Sequence, residues 1–292
     1  MALTNLQEYH RPDDMDAVVQ LLQQYQDGAM IVAGGTFLHG LVARGLVSDI
    51  TALIDVRGLG YDHVSLSGGI LSIGATATFA RLESDADIGS HPALGAIKDA
   101  LAYPPMQIKN TATVGGCISA SCPFFDLPTA FLALNATITA LGKKGTRHIP
   151  IKDFFPGLFE NALYEDEFML QIDAPVTTDK SASAFIKLET NANDLAILNV
   201  AAKLDVDDAG VCQQACIYVG GGVGETAVRA GTAEAALTGA KPGADSIAKA
   251  AQAAQDEVQP LDDHRASAAY RKRMAGVLLG RTLEQVEVRL SA

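Results

Sequence analysis

No stretch of the sequence approaches the roughly 18 consecutive apolar residues that a bilayer crossing requires, so no membrane span is predicted. Positive charge is also short: 22 lysines and arginines stand against 34 aspartates and glutamates, a formal net charge of -12. A surface of that sign repels a phosphate backbone and predicts no free binding to nucleic acid, so any anionic ligand has to be held locally. Cysteines are few, Cys117, Cys122, Cys212 and Cys216, spaced as C-x4-C and C-x3-C. Neither pair has the two-residue gap usual for zinc, and the C-x4-C-x2-C run of a plant-type iron–sulfur site is missing; reduced thiols are the expectation. The opening MALTNLQEYHRPDD has no basic stretch followed by an apolar run, which predicts no secretory signal and a cytoplasmic location. G-x-G-x-x-G and the P-loop are both absent, and no repeat of fixed period or low-complexity linker is found. No Ser-His-Asp order commends itself, and the six histidines form no close ligand pair. No residue of this chain is therefore assigned a catalytic or metal-ligating role.

What is present is a packable chain, 48% hydrophobic and 19% charged, whose 292 residues exceed one comfortable core and predict two or three domains. RPDDMDAVVQLLQQYQDG has helical spacing, with Asp13 or Asp14 as N-cap and Gly28 as a stop. The strand AMIVA follows, then a Gly34-Gly35 turn, the helical TFLHGLVARGL and the strand TALIDV, closing a β-turn-α-β unit near residue 57. Between Tyr61 and Ala77 the period changes to a hairpin around Ser-Gly-Gly. A helix HPALGAIKDALAY begins near Ser90, and TAFLALNATITALG reads as a small-residue helix running into a strand. GTRHIPIKDFF, EDEFMLQIDAPV and SAFIKLET supply further strands, with a second α+β domain ending near Thr178. The last third holds two strands joined at Asp207–Gly210 and helices over TAEAALTG, GADSIAKAAQAAQDEVQP and HRASAAYRKRMAGVLLGRTLEQV.

The diglycines carry the chemistry. Gly34-Gly35 follows a strand and opens a helix, whose first amide protons have no partner of their own. Glycine there permits positive φ and close approach of a ligand, a nest suited to phosphate. Gly115-Gly116 repeats the arrangement with Thr111, Thr113, Ser119 and Ser121 adding hydroxyls. Two anion-cradling loops point to a pyrophosphate gripped from both sides, although a diglycine is also an ordinary tight turn. The third run, Gly220 to Gly224, reads as a strand-terminating loop. His39 reads as a helix-face residue.

IVAGGTFLHGLVARG and QIKNTATVGGCISASCPFFDLP resemble the two flavin loops of the FAD-binding medium subunits of molybdenum hydroxylases, a family that includes the carbon monoxide dehydrogenase flavoprotein and the flavin domain of xanthine dehydrogenase. DFFPGLFENALYEDEFMLQIDAPV, AFIKLETNANDLAILNVAAKL, IYVGGGVGETAVRAGTAEAALTG and YRKRMAGVLLGRTL are similar to its later segments, in order along nearly the whole chain. The resemblance implies an α+β chain with a PCMH/VAO-type FAD-binding fold: two α/β subdomains, 1–57 and 58–178, followed by a C-terminal α+β domain, 179–292. It implies FAD as this chain's cofactor, with Ile31, Val32, Ala33, Gly34, Gly35, Thr36, Phe37 and Leu38 on one side of the pyrophosphate and ribose. Thr113, Val114, Gly115, Gly116 and Cys117 lie on the other, with Ser121 nearby. Asp126 is implied as acceptor for sugar or ribityl hydroxyls, though it also reads as the N-cap of LPTAFLAL. Lys187 falls where the family places a lysine beside the flavin ring, a cation that favours the reduced, anionic ring. Tyr103 and Leu170 match ring-flanking positions.

Three departures stand out: Cys117 where asparagine is common, Phe37 where aspartate or serine is frequent, and Phe124-Phe125 in place of smaller residues. None removes a backbone donor. The implied function is an oxidoreductase electron-transfer subunit. A large partner carries molybdopterin, a small partner carries two 2Fe-2S iron–sulfur clusters, and the FAD chain passes electrons to an external acceptor. The implied assembly is a dimer of heterotrimers. The basic run Tyr270–Met274 reads as a solvated helix face or a docking point. A stand-alone flavoenzyme similar to UDP-N-acetylenolpyruvylglucosamine reductase, and a scaffold that has lost flavin, remain open alternatives.

Overall fold

Three sheets organise the chain in the computed structural model, which describes residues 3–47, 49–176, 180–192 and 194–291. The first sheet is parallel and small: β1 (Glu8–His10), then α1 (Met15–Tyr25), β2 (Ala29–Val32), α2 (Thr36–Ala43) and β3 (Ala52–Asp55), in spatial order β1-β3-β2. Asp14 is the N-cap of α1, its side chain accepting from the Ala17 amide at 2.8 Å. The helix stops at Tyr25 because Gln26 turns to φ 46, and a short 3-10 turn carries the chain to Gly28. Val18, Val19 and Leu22 of α1 pack with Ile54, Phe168 and Leu170, so a later strand completes this core.

The second sheet is antiparallel and five-stranded. β4 (Val64–Ser67) and β5 (Ile70–Gly74) form the expected hairpin, with Gly68 and Gly69 both at positive φ in the turn. Short helices follow: α3 (Phe79–Glu83), α4 (Ala86–Ser90), α5 (Gly95–Leu101), α6 (Met106–Lys109), α7 (Val114–Ser119) and α8 (Asp126–Ala133). β6 (Thr137–Gly142), β7 (Gly145–Pro150) and β8 (Phe168–Pro175) complete the order β4-β5-β8-β6-β7. The helix expected from Ser90 is broken instead. α4 ends at Ser90, and Pro92 opens a 3-10 turn before α5, because proline lacks the amide a continuous helix needs. The domain boundary expected near Thr178 lies outside the described residues.

The third sheet, β9 (Ser181–Leu188), β10 (Leu198–Val206), β11 (Cys212–Gly220) and β12 (Val228–Arg229), is antiparallel in the order β12-β11-β10-β9. α9 (Gly231–Leu237), α10 (Ala244–Glu257) and α11 (Ala268–Leu290) follow. Alternate residues of the sheet serve two cores. Val200, Ala202, Ile217 and Val219 pack with the closing helices, whereas Phe185, Ala201, Cys216 and Tyr218 join the core built on α5 and α8. Burial on both faces explains why these strands read as nearly continuous apolar runs. Arg271, expected on a solvated face of α11, is instead only 1% exposed. Its guanidinium donates to the carbonyls of Ile197, Leu261 and Ala266 and pairs with Asp263 at 2.7 Å. None of the described helices is long and apolar enough to cross a membrane.

Candidate functional site

The two diglycine loops meet. Gly34 lies flat against the second loop: a Cβ built on it would stand 2.8 Å from the Thr111 carbonyl carbon and closer still to its oxygen, and 3.0 Å from Ala112 Cα. Gly35, at φ +68, is the left-handed cap that turns the chain from β2 into α2. Among the described residues, the amides of Gly34, Gly35, Thr36, Phe37 and Leu38 have no acceptor within the chain; the first bonded amide is His39, to the Gly35 carbonyl at 2.9 Å. That is the open row of donors the sequence suggests. Ile31, Val32, Ala33 and Leu38 are half-buried around it, and His39 faces solvent.

The second loop differs from its expectation. Gly115 and Gly116 lie inside α7 and neither has positive φ. Three of the amides are already taken: Val114 donates to Ala77 O at 3.0 Å, Gly115 to Ala75 O at 2.8 Å, and Gly116 to the Thr113 side chain at 3.2 Å. Glycine is needed at 115 for contact, since a Cβ there would stand 2.6 Å from the Ala75 Cβ. Gly116 is exposed, leaving bare backbone at the start of α7. Thr113 Oγ1 accepts at the cap of α7, with its proton left to donate, and Thr111 donates to Gln107 O. Ser121 sits at φ 46 with its hydroxyl buried and without a partner, as is Thr76 Oγ1.

Beyond the loops the structure gathers Tyr103, Asp126 and Lys187 into one polar cluster. Lys187, its side chain 3% exposed, sends Nζ to Asp126 Oδ2 at 3.1 Å, Glu189 Oε2 at 3.0 Å and the Asp194 carbonyl at 2.9 Å. The ammonium lies 4.7 Å from the Tyr103 ring centroid, and the Tyr103 hydroxyl accepts from the Lys187 amide at 3.0 Å. Asn199, on β10, donates to Phe125 O and Asp126 Oδ1 while accepting from Thr129. Burial pushes the Asp126 carboxyl up to about 6; Lys187 and Asn199 counter that rise and Glu189 adds to it. Asp126 is not the N-cap of α8: Phe125 occupies that place, and the carboxylate turns to Lys187. Burial, with Asp126 and Cys122 nearby, also pushes the Cys117 thiol well up, so it stays a neutral thiol. All four cysteines are buried and unpaired.

Phe37 has a structural answer. Its ring meets Phe125 edge-on at 5.7 Å and stacks on Phe159 at 6.2 Å, tying the first loop to the approach of α8. Phe124 lies 5.7 Å from the Arg265 guanidinium, which donates to the carbonyls of Leu195 and Ala196. Leu170 belongs to a different neighbourhood, the core under α1, and is linked to the second loop through Ala75, whose amide donates to the Leu170 carbonyl at 2.7 Å and whose carbonyl accepts from Gly115. The sequence reading missed Ala75, Asn199 and Glu189. Asn199 is a polar residue inside an apolar strand, and Glu189 stands just past the end of β9, two positions after Lys187; both are visible signals.

Comparison with known proteins gives the family. Residues 4–177 match the family model for the FAD binding domain in molybdopterin dehydrogenase, and residues 183–286 match that for the CO dehydrogenase flavoprotein C-terminal domain. The chain is similar to the 6-hydroxypseudooxynicotine dehydrogenase complex subunit alpha of Paenarthrobacter nicotinovorans, at 31% identity over 94% of this chain and 93% of the relative. It is similar to the carbon monoxide dehydrogenase medium chain of Afipia carboxidovorans, at 30% identity over 97% of each. Among solved structures it is similar to a chain of carbon monoxide dehydrogenase from Hydrogenophaga pseudoflava lacking the Mo-pyranopterin moiety of the molybdenum cofactor. There the TM-score is 0.90 at 29% identity, over 97% of this chain and 98% of that one.

Proposed function

The chain belongs to the FAD-binding medium subunits of molybdenum hydroxylases and is an oxidoreductase subunit, and from that premise we propose that it is the electron exit of a cytoplasmic three-subunit complex. In this reading the chain would hold FAD between iron–sulfur clusters on a small partner and an external acceptor, in a complex whose molybdopterin-bearing large partner would oxidise the substrate. The heterotrimer is read as pairing into a dimer. We take 1–57 and 58–178 as the two halves that enclose the cofactor, and 179–292 as the unit that supplies the ring's lysine.

The observation that carries this reading is the open row of Gly34–Leu38 amides, with Gly34 packed on Thr111 and Ala112 of the second loop and Phe37 on Phe125, the residue before Asp126 of the Lys187–Asp126–Tyr103 cluster. The donor set fits the cofactor. Unbonded amides at the start of α2 suit a diphosphate, which lets a chain of charge -12 bind a dianion without a lysine cluster. The unpartnered hydroxyls of Thr76 and Ser121 are buried polar groups of the kind a ligand or ordered water satisfies. In this reading Ile31 to Leu38 and Thr113 to Cys117, with Ser121, hold the diphosphate and ribose, Tyr103, Asp126 and Lys187 border the ring, and Leu170, in the core under α1, supports the site from behind. Cys117, a neutral thiol, contributes through its main chain. When bound, FAD supplies the exchange between paired and single electrons. The protein's own part is to hold the ring, keep the Lys187 ammonium beside it and exclude water with Phe37, Phe125 and Phe159.

Purification of the complex from its native source, with metal analysis and an absorption spectrum, tests the proposal. Molybdenum, iron and flavin eluting together with this chain are expected. Flavin eluting with this chain alone, free of both metals, would overturn the three-subunit reading in favour of a lone flavoenzyme.

A further inference from the structure

Lys187 is held by more negative charge than it can neutralise. Its ammonium contacts two carboxylates, Asp126 at 3.1 Å and Glu189 at 3.0 Å, plus the carbonyl of Asp194 at 2.9 Å. The site is nearly dry: side-chain exposures are 3% for Lys187, 11% for Asp126 and 19% for Glu189. Around the three stand few other charges. Tyr103 faces the ammonium from the segment after α5, Asn199 faces Asp126 from β10, and the thiols of Cys117 and Cys122 lie on the α7 side. The cations nearby are committed elsewhere or stand further out: Arg265 is bound to the Leu195 and Ala196 carbonyls and pairs with Asp194 at 3.6 Å, and Arg44 acts on Cys122. Glu189 Oε2 touches the ammonium without a hydrogen bond of proper geometry, so one acceptor position is left over.

We propose that Glu189 completes a three-residue unit with Asp126 and Lys187, two carboxylates on one ammonium, and that this unit binds one additional proton when electrons reach a flavin seated beside it. The inference rests on the flavin reading given above. Its physical basis is charge. A group of net charge -1 in a dry site is poised to protonate when more negative charge arrives, because like charges at short range in low dielectric cannot both persist. The step balances simply: one solvent proton forms an O–H bond on a carboxylate, no bond of the protein breaks, and no electron passes through the unit. Burial already holds the Asp126 carboxyl near 6, within reach of neutral pH. With Glu189 neutralised, one carboxylate faces one ammonium and the unit's net negative charge is removed, which weakens the drive to take up a proton. Glu189 is thus a positioning residue, acting on the flavin only through Lys187 and Asp126.

The test is potentiometry of the flavin-replete complex between pH 7 and 8, with mediators and dithionite as reductant, in the wild type, Glu189→Gln and Asp126→Asn. The slope of midpoint potential against pH counts protons per two electrons. The wild type is expected to fall more steeply than either variant that retains FAD by one proton per two electrons, about 30 mV per pH unit for a two-electron couple. Glu189→Asp is expected to restore the steep slope. Equal slopes in flavin-replete wild type and variants overturn this inference while leaving the flavin reading intact. A wild-type chain that binds no FAD overturns both.

Discussion

Replacing Gly34 with alanine asks whether the apposed loops form one binding site. The added Cβ points into backbone, not into a side chain that could swing aside: the Thr111 carbonyl carbon is 2.8 Å away and Ala112 Cα 3.0 Å. One loop therefore has to shift. Overpacking of this kind costs about 1–3 kcal/mol. If the diphosphate needs both loops at their present spacing, most of that cost appears in binding, and at 1.4 kcal/mol per tenfold FAD affinity drops about 5- to 100-fold. Gly35→Ala is a graded comparison. Its Cβ meets only Val32 Cγ2 at 3.7 Å, but φ is +68, so the cost is backbone strain of about 1–2 kcal/mol without separation of the loops. Gly89→Ala is the control, in a helix with nothing within 4 Å of the new methyl. FAD titration by flavin fluorescence, alongside thermal melting, is expected to rank affinity as Gly89→Ala equal to wild type, then Gly35→Ala, then Gly34→Ala. Wild-type affinity and melting temperature in Gly34→Ala would refute the idea that the loops act together.

Other substitutions separate the remaining parts of the account. Because the folded state holds the Asp126 carboxyl at about 6 against an ordinary 3.8, it binds more protons than the unfolded chain between those values. The FAD-free protein therefore loses up to ~3 kcal/mol as pH rises through that window. Asp126→Asn removes this loss, so unfolding free energies from urea titration are expected to fall from pH 4 to 7.5 by up to that amount more in the wild type than in the variant; a pH-independent difference contradicts it. Arg271→Met leaves the buried Ile197 carbonyl without its donor and removes the guanidinium's bonds to Leu261, Ala266 and the more exposed Asp263, a loss of about 1–3 kcal/mol and on the order of 5 °C in melting temperature, readable by calorimetry. A shift under about 2 °C would contradict that ledger of buried bonds. Phe37→Ala deletes both ring contacts that tie α2 to Phe125 and Phe159 and is expected to speed FAD dissociation several-fold with little change in melting. An unchanged off-rate would assign those rings a role elsewhere.

Much of the architecture is legible from local chemistry. Gly68-Gly69 at a Ser-Gly-Gly turn fixes the first hairpin, Asp14 caps α1, and Asp207 organises the turn into β11 by accepting from the Ala209 and Val211 amides. These signals reside within a few residues of one another. What escaped depends on distant partners. β1 is only three residues long with an exposed pattern, and it is a strand because β3 lies beside it in parallel, more than 40 positions on. α3, α4 and α6 have four or five residues each, too short for an apolar period to show. At the site, Gly34-Gly35 behaves as its sequence suggests, with one left-handed residue and open amides. Gly115-Gly116 does not, because Ala75 and Ala77 lie close enough to take the donors. Asp126 reads as a cap from its neighbours and as a lysine partner only once β9 is in place.

Flavin content of the purified chain tests the central claim most directly. The account predicts one FAD per chain in the wild type, released on denaturation and identified as the dinucleotide, with occupancy sharply reduced in Gly34→Ala. A colourless wild-type chain that stays flavin-free after incubation with excess FAD would contradict it.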